Sequence, residues 1–230
     1  LNIAKCKHVS FTRSRSPVLS KYTLGSTQLD TVLDYKYLGV YFSSNLTWKR
    51  QIEHVSFSAS RMLNFLKRNF SDAPPKVKEL LYFTNVRSIT EYACAVWDPH
   101  FENLCTLLER VQNRAARFVT RIYSFRTSIT LLKSELGWET LSKRRLHHKL
   151  ELLYRIYFNK TGLDPKIFLL TPHFVSKRRD HEWKIREIDC RTDVYKGSFF
   201  PHSNEVWNKL PGSIVNCTSD ALFHTFLSHM

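Results

Sequence analysis

Between Asp34 and Phe70 the apolar pattern changes period, and few folds satisfy both halves of that stretch. Asp34-Tyr-Lys-Tyr-Leu-Gly-Val-Tyr-Phe42 is apolar, rich in aromatics and carries a glycine in its middle. A polar turn follows at Ser43-Ser-Asn-Leu-Thr-Trp48. From Lys49 to Phe70 the apolar positions recur at helical spacing, with Ile52, Val55, Ala59, Met62, Leu63 and Leu66 on one face. The expected unit is a strand packed on its own amphipathic helix. A glycine inside a strand marks a bulge or a close approach by another backbone or a ligand. Tyr37, Leu38, Gly39 and Val40 are therefore candidate site residues, although Leu38 and Val40 also read as core and at least one of them is expected there. Trp48 is expected to pack the helix rather than stack on a base.

The rest of the chain extends that unit with helices. Residues before Tyr35 read as short strands with hairpin signals: His8-Val-Ser-Phe-Thr12 alternates, Arg13-Ser-Arg-Ser-Pro17 is a loop, and Lys21-Tyr-Thr-Leu24 turns at Gly25-Ser26. Ser71-Asp-Ala-Pro-Pro75 breaks the first helix and starts a second, with Pro in its first turn. Val77, Leu80, Leu81, Thr84 and Ser88 are expected inward there, and the helix ends near Trp97-Asp-Pro99. A third helix is predicted from about Phe101 to Ile122, with Leu104, Leu108, Val111, Ala115, Phe118 and Ile122 on one face. Short links favour antiparallel packing of these helices in a bundle. Two more helices are predicted over Thr127–Leu136 and Leu141–Asn159. From Thr171 to Lys196 periodicity is weak and basic residues are dense (Lys177-Arg-Arg179, Lys184, Arg186, Arg191), so an extended, partly ordered segment is expected. Ser219 is placed as the cap of a last helix holding Leu222, Phe223 and Phe226. The fold class is α+β, mostly α: a small antiparallel sheet, a helical bundle and a basic helical C-terminal extension.

Charge narrows the partner. Lys+Arg 35 against Asp+Glu 20 gives a net charge of +15, which favours a polyanion, most often nucleic acid. A membrane span is not expected, because no stretch approaches the roughly 20 apolar residues it needs. The five cysteines (Cys6, Cys94, Cys105, Cys190, Cys217) are scattered and form no Cys-x-x-Cys pair, which argues against a disulfide framework or zinc ribbon and for a reducing, intracellular setting. The start, Leu1-Asn2-Ile3 followed by Lys5 and Lys7, has no apolar signal region. It opens without Met and in mid-element, as a piece of a longer product would.

Arg110, Arg114, Arg117 and Arg121 recur at i, i+4, i+7 and i+11 on the third helix, a stripe whose forked donors suit a ladder of phosphates. A solvated basic face is the competing reading. Lys143, Arg144 and Arg145 form a second basic run. No catalytic residue is assigned: Asp30, Asp34, Asp72, Asp98 and Asp180 stand singly, and there is no Walker-type loop or Gly-x-Ser-x-Gly elbow. His147 and His148 are adjacent on a helix and make a poor metal pair, and His173, His181 and Cys190 match no zinc spacing, so no metal ligand is assigned either.

An ordered set of motifs over most of the chain resembles the reverse transcriptases of non-LTR retrotransposons, the jockey-like LINE elements in particular. Tyr37-Leu-Gly-Val40 with Leu46-Thr-Trp48 is similar to the junction of strand and thumb, and Leu1-Asn-Ile-Ala-Lys-Cys6 to the fourth palm motif. Glu91-Tyr92, Trp97-Asp-Pro99, Glu109-Arg-Val-Gln-Asn-Arg-Ala-Ala-Arg117 and Trp207-Asn-Lys-Leu-Pro211 follow in family order. The resemblance implies a palm remnant at 1–42 with a primer-grip-like strand, a helical thumb at 43–125 and a basic extension at 126–230. It implies that Lys5 lies near the phosphates of an incoming nucleotide, where an ammonium can protonate departing pyrophosphate. It implies partners: an RNA template, an RNA–DNA hybrid or target DNA, and the N-terminal palm and fingers. The parent polymerase would use Mg2+ held by carboxylates absent here; this chain would bind no cofactor and be inactive alone. Its setting would be a ribonucleoprotein in nucleus and cytoplasm. Two other readings stay open, a stand-alone or degenerate RNA-binding module and a helical protein-interaction scaffold.

Overall fold

A computed structural model describes residues 2–12, 14, 16, 20–124, 126–176, 178, 180–217 and 219–228. Arg13, Arg15 and Pro17 of the expected loop, and Lys177 and Arg179 of the basic segment, lie outside the described residues. A 3-10 turn, Ile3–Lys5, precedes β1 (Lys7–His8), β2 (Thr23–Leu24), β3 (Thr27–Gln28), β4 (Asp30–Thr31), β5 (Asp34–Tyr37) and β6 (Val40–Ser43). The helices are α1 (Lys49–Asn69), α2 (Pro75–Tyr82), a π turn at Phe83–Arg87 running into α3 (Ser88–Glu91), α4 (Cys94–Trp97) and α5 (Glu102–Thr120). The second half holds α6 (Ile129–Glu135), α7 (Leu141–Tyr157), α8 (Pro165–Phe168), α9 (Asp193–Lys196), α10 (Phe199–Asn208), α11 (Gly212–Val215) and α12 (Asp220–Ser228). The chain is α+β and mostly α.

The strands pair as three separate two-stranded ribbons. β2–β3 and β5–β6 are antiparallel hairpins, whereas β1 runs parallel to β4. The 34–42 stretch, expected as one strand with a glycine inside it, folds back on itself. Tyr37 pairs with Val40, so Leu38 and Gly39 form a two-residue loop with both φ positive, 47° and 85°. That is the geometry of a type I′ turn, whose twist matches the flanking strands. Glycine meets its steric demand at the second position; leucine occupies the first against its preference.

The first helix buries the face its spacing indicates. Ile52, Val55, Ala59, Leu63 and Leu66 are each at most 5 % exposed, and each large apolar side chain so buried contributes about 1.5–3 kcal/mol. The upper half of α1 meets Val40, Cys94, Trp97, Leu104, Leu108 and Leu141. Its lower half meets Tyr82, Val86, Val111, Phe118 and Trp138. Trp48 packs in the upper core, edge-on to Phe42 at 5.7 Å.

The second helix turns a different face inward from the one its apolar residues suggest. Val77 and Leu80 are 43 % and 61 % exposed, while Lys78, Tyr82, Val86 and Thr90 are buried. Those four recur every fourth residue, and the wide π turn keeps such a series on one side where an α-helix would rotate it away. Tyr82 decides the register: it stacks on Trp138 at 4.5 Å and donates to Gln112 Oε1 at 2.9 Å. Lys78 buries its stem and sets its ammonium over the Phe118 ring at 5.0 Å. The third helix stops two residues before its expected end. Arg121 closes it in the left-handed region, φ 59°, and Ile122 falls outside, 38 % exposed.

The C-terminal half has its own core, built on the second half of α7. Leu150, Leu153 and Tyr154 meet Ile185, Trp207, Leu210, Val215, Phe223 and Leu227. The segment expected to be irregular from Thr171 to Lys196 ends in the short helix α9; before it, the described residues cross this core without helix or strand, anchored by side chains acting as strand partners. Asn208 accepts from the Ile185 amide at 2.9 Å and donates to its carbonyl at 2.8 Å, and the Trp207 indole donates to the Trp183 carbonyl at 2.8 Å. Ser219 caps α12 as expected, its hydroxyl accepting from the Leu222 amide at 3.2 Å. Among the described residues, no helix is long and apolar enough to cross a membrane.

Candidate nucleic-acid interface

The four arginines of α5 do not act as one row. Arg110 is exposed. Arg114 donates from Nη2 to the Ser60 hydroxyl at 2.6 Å and so leans onto α1. Arg117 turns back to wrap the chain after the helix, donating to the Ser124 carbonyl at 2.8 Å. Arg121 lies beyond the last helical turn, donates to the Ser71 carbonyl at 2.6 Å and stands 3.5 Å from Asp72. Helical spacing aligned these residues, but side-chain length let Arg117 reach a carbonyl of the loop after α5 and Arg121 one of the loop between α1 and α2. Arg110 and Arg114 remain a basic patch, joined by Lys67 of α1, whose ammonium is held below its usual range by burial and by the Arg114 charge.

The Lys143–Arg145 run divides as well. Arg145 is fully buried, its Nε 2.7 Å from Asp98 Oδ1, with Lys149 Nζ 2.9 Å from the other oxygen. Its assignment as a nucleic-acid contact is corrected: a guanidinium closed inside the protein on a carboxylate reaches no phosphate. Arg144 makes a two-pronged pair with Glu91, the Nη2 arm at 3.0 Å, and Lys143 pairs with Glu139 at 3.0 Å. Lys5 is exposed in the opening 3-10 turn, and its carbonyl accepts from the Tyr35 hydroxyl at 3.1 Å.

The hairpin tip carries Tyr37 to Val40, and its surroundings are open. Val40 points into the core at 5 % exposure, while Tyr37 and Leu38 stand out at 58 % and 73 %. A groove begins beside Gly39 and Tyr92, runs along α1 past His54 and Ser58, and is floored by Ile89. It continues between Ser58, Met62 and Ile89 to Arg61, Phe65 and Arg68. The two stretches, about 280 and 610 Å3, share Ser58 and Ile89.

A basic and aromatic row on α1, of which His54, Arg61, Phe65 and Arg68 line this groove, was missed in the sequence. Arg50, His54, Phe57, Arg61, Phe65 and Arg68 fall on one side of α1, opposite its packing on α5. They extend about 27 Å at the helical rise. Phe57 and Phe65 are exposed, 63 % and 48 %. Arg61 lies over the Phe57 ring at 5.8 Å. Arg50 and Lys36 both face the Tyr41 ring, at 5.4 and 5.2 Å, where β6 meets α1. Among the described residues, Arg50, Arg61, Arg68 and Arg110 form no ion pair with a carboxylate. Their charge is therefore available to a ligand. The spacing of these residues was in the sequence; reading α1 only for its apolar face concealed it.

The structure also contains a partly buried charge cluster behind the groove. Glu91 lies between Arg144, Arg87 and His148. Burial pushes its carboxyl up, but His148, Arg144 and Arg87 beside it outweigh that and hold it at about 2. Glu151 and Glu91 push His148 up to about 9. Such shifts mark a site when they face a cleft; these face the α3–α7 junction and join the groove floor to α7. Among the described residues no group of three His, Cys, Asp or Glu side chains is placed to hold a metal ion.

No protein-family model, curated protein or solved structure matches the chain.

Proposed function

We propose that this chain clamps the backbone of an RNA template and its nascent DNA as the thumb-side part of a non-LTR retrotransposon reverse transcriptase. The observation that carries the reading is the groove from Gly39 at the hairpin tip along α1, lined by Arg61 and Arg68, which with Arg50 on the same helix face have no carboxylate partner among the described residues. Three features support it. The net charge is +15. Arg50, Arg61 and Arg68 share one face of α1 instead of scattering, which suits a polyanion site. Exposed rings alternate with them, as in surfaces that track a nucleic-acid strand.

A groove of this composition reads shape and phosphate, not base sequence, which suits A-form-like duplexes. The clamp has no chemistry of its own; nucleotide transfer and its Mg2+ belong to the palm and fingers of the polymerase. The setting proposed is a ribonucleoprotein passing between cytoplasm and nucleus.

Fluorescence anisotropy with a labelled RNA–DNA hybrid across a salt series tests the reading. Replacing Arg50, Arg61 and Arg68 together by Gln is expected to reduce the log–log salt slope by about 2–3, since each lost phosphate contact removes about 0.9. Arg117→Gln is expected to leave the slope unchanged because its guanidinium is engaged on backbone carbonyls. A flat salt titration for the wild-type chain, or an unchanged slope in the triple variant, refutes the clamp.

A further inference from the structure

The hairpin tip is reached from the helical unit by one residue 54 positions away. The Tyr92 hydroxyl donates to the Leu38 carbonyl at 2.9 Å. Its ring closes on Gly39, where an added Cβ would lie 3.1 Å from Tyr92 Cε1. The tip needs such a hold. Leu38 sits at φ 47°, a region leucine avoids, and its side chain is 73 % exposed, so packing on that residue supplies little restraint.

The backbone of Tyr92 is firmly placed, while its side chain, 58 % exposed, lies along the surface to reach the tip. Its carbonyl accepts from the indole of Trp97, which is fully buried, at 2.8 Å. The residue before it, Glu91, is gripped by Arg144 of α7, and the residue after it, Ala93, turns the chain in the left-handed region at φ 52°. Tyr92 and Gly39 together line the mouth of the groove.

We propose that Tyr92 is a positioning residue: through Leu38 it fixes the tip at the groove mouth, so that the gripping edge and the α1 arginines act on one stretch of backbone. This role rests on the clamp reading above. It predicts that a neutral residue, far from the arginines in sequence, controls affinity without adding to its salt dependence. A residue that merely stabilised the fold would change melting and leave the tip's local order tied to global unfolding.

The experiment pairs hydrogen exchange of the 36–41 segment, measured without nucleic acid, with hybrid binding. Tyr92→Phe removes only the hydroxyl and Tyr92→Ala removes the ring as well. In Tyr92→Phe, exchange at the tip is expected to rise about twofold to tenfold, the factor one hydrogen bond supports. Affinity for the labelled hybrid is expected to fall by a similar factor with the salt slope unchanged. Tyr92→Ala is expected to enlarge both effects, and the melting temperature of Tyr92→Phe to stay near wild type. Unchanged tip exchange in both variants overturns the role, and so does faster exchange with unchanged affinity. A wild-type chain without salt-dependent affinity overturns the clamp itself; exchange, read without nucleic acid, still reports separately whether Tyr92 holds the tip.

Discussion

Replacing Asp98 with Asn should be the most damaging single change of charge in this protein. Asp98 Oδ1 lies 2.7 Å from Arg145 Nε and Oδ2 lies 2.9 Å from Lys149 Nζ. The two cationic side chains are 1 % and 2 % exposed, so water cannot take over from the carboxylate. What else touches them is weak: His202 Nδ1 is 3.3 Å from Lys149 Nζ and Cys105 Sγ is 3.8 Å from Arg145 Nη2, while Arg145 Nη1 has no partner. Breaking one side of a buried pair costs about 3–5 kcal/mol, and here one carboxylate serves two cations. At about 2–4 °C per kcal/mol for a chain of this size, Tm should drop by about 6–20 °C. Urea unfolding followed by tryptophan fluorescence should show the midpoint falling at nearly constant slope. Replacing all three residues by apolar side chains of similar volume should cost less than Asp98→Asn alone, because no charge is then stranded. A loss below about 1 kcal/mol for Asp98→Asn would refute the reasoning: Arg145 and Lys149 would then be solvated, and Arg145 would return as a possible ligand for phosphate.

Four other outcomes follow from the structure. Glu91 is held at about 2 in the folded chain against 4.5 unfolded, so its contribution is present above pH 4.5 and is lost as pH falls through about 2. Glu91→Gln should therefore be less stable than wild type by about 2–3 kcal/mol at neutral pH, allowing for partial exposure, with the gap closing in a thermal series taken down to about pH 2. His148 runs the other way. Raised to about 9 from 6.5, it stabilises in full below pH 6.5, and the advantage over His148→Gln should vanish as pH rises through about 9; an advantage that grows there would show the sign to be wrong. Gly39→Ala puts a side chain at φ 85° and 3.1 Å from the Tyr92 ring, and should cost about 1–2 kcal/mol and loosen the hairpin, read as faster exchange at 36–41. Trp207→Ala empties the centre of the C-terminal core and should cost about 3–5 kcal/mol by urea unfolding; a cost under about 1 kcal/mol would mean the core closes around the gap.

Much of this architecture is legible in residue spacing. The inward face of α1, the break at Pro74-Pro75, the bulk of α5, the span of α7 and the Ser219 cap all follow from period, proline placement and hydroxyl chemistry, which act over one or two turns. The errors have local causes too. Val77 and Leu80 look like core because they are apolar, yet Lys78 and Tyr82 take the inward positions, since a π turn shifts the register and Trp138 offers Tyr82 a stacking partner. Gly39 was read as a strand glycine, whereas its neighbours pair across it and make it a turn.

The site divides along the same line. Which residues carry positive charge, and that they recur along helices, is a property of the chain alone, as is the excess of cations that calls for a polyanion. Whether a given arginine is free depends on what lies within about 4 Å of its guanidinium, and that is set largely by partners distant in sequence: Asp98 for Arg145, Glu91 for Arg144, the Ser71 carbonyl for Arg121. Periodicity puts side chains on a common face; only packing decides whether that face meets water, a carboxylate or a carbonyl. Hence α5, whose arginines drew attention, is largely engaged, and α1, read only for its core, presents the open row.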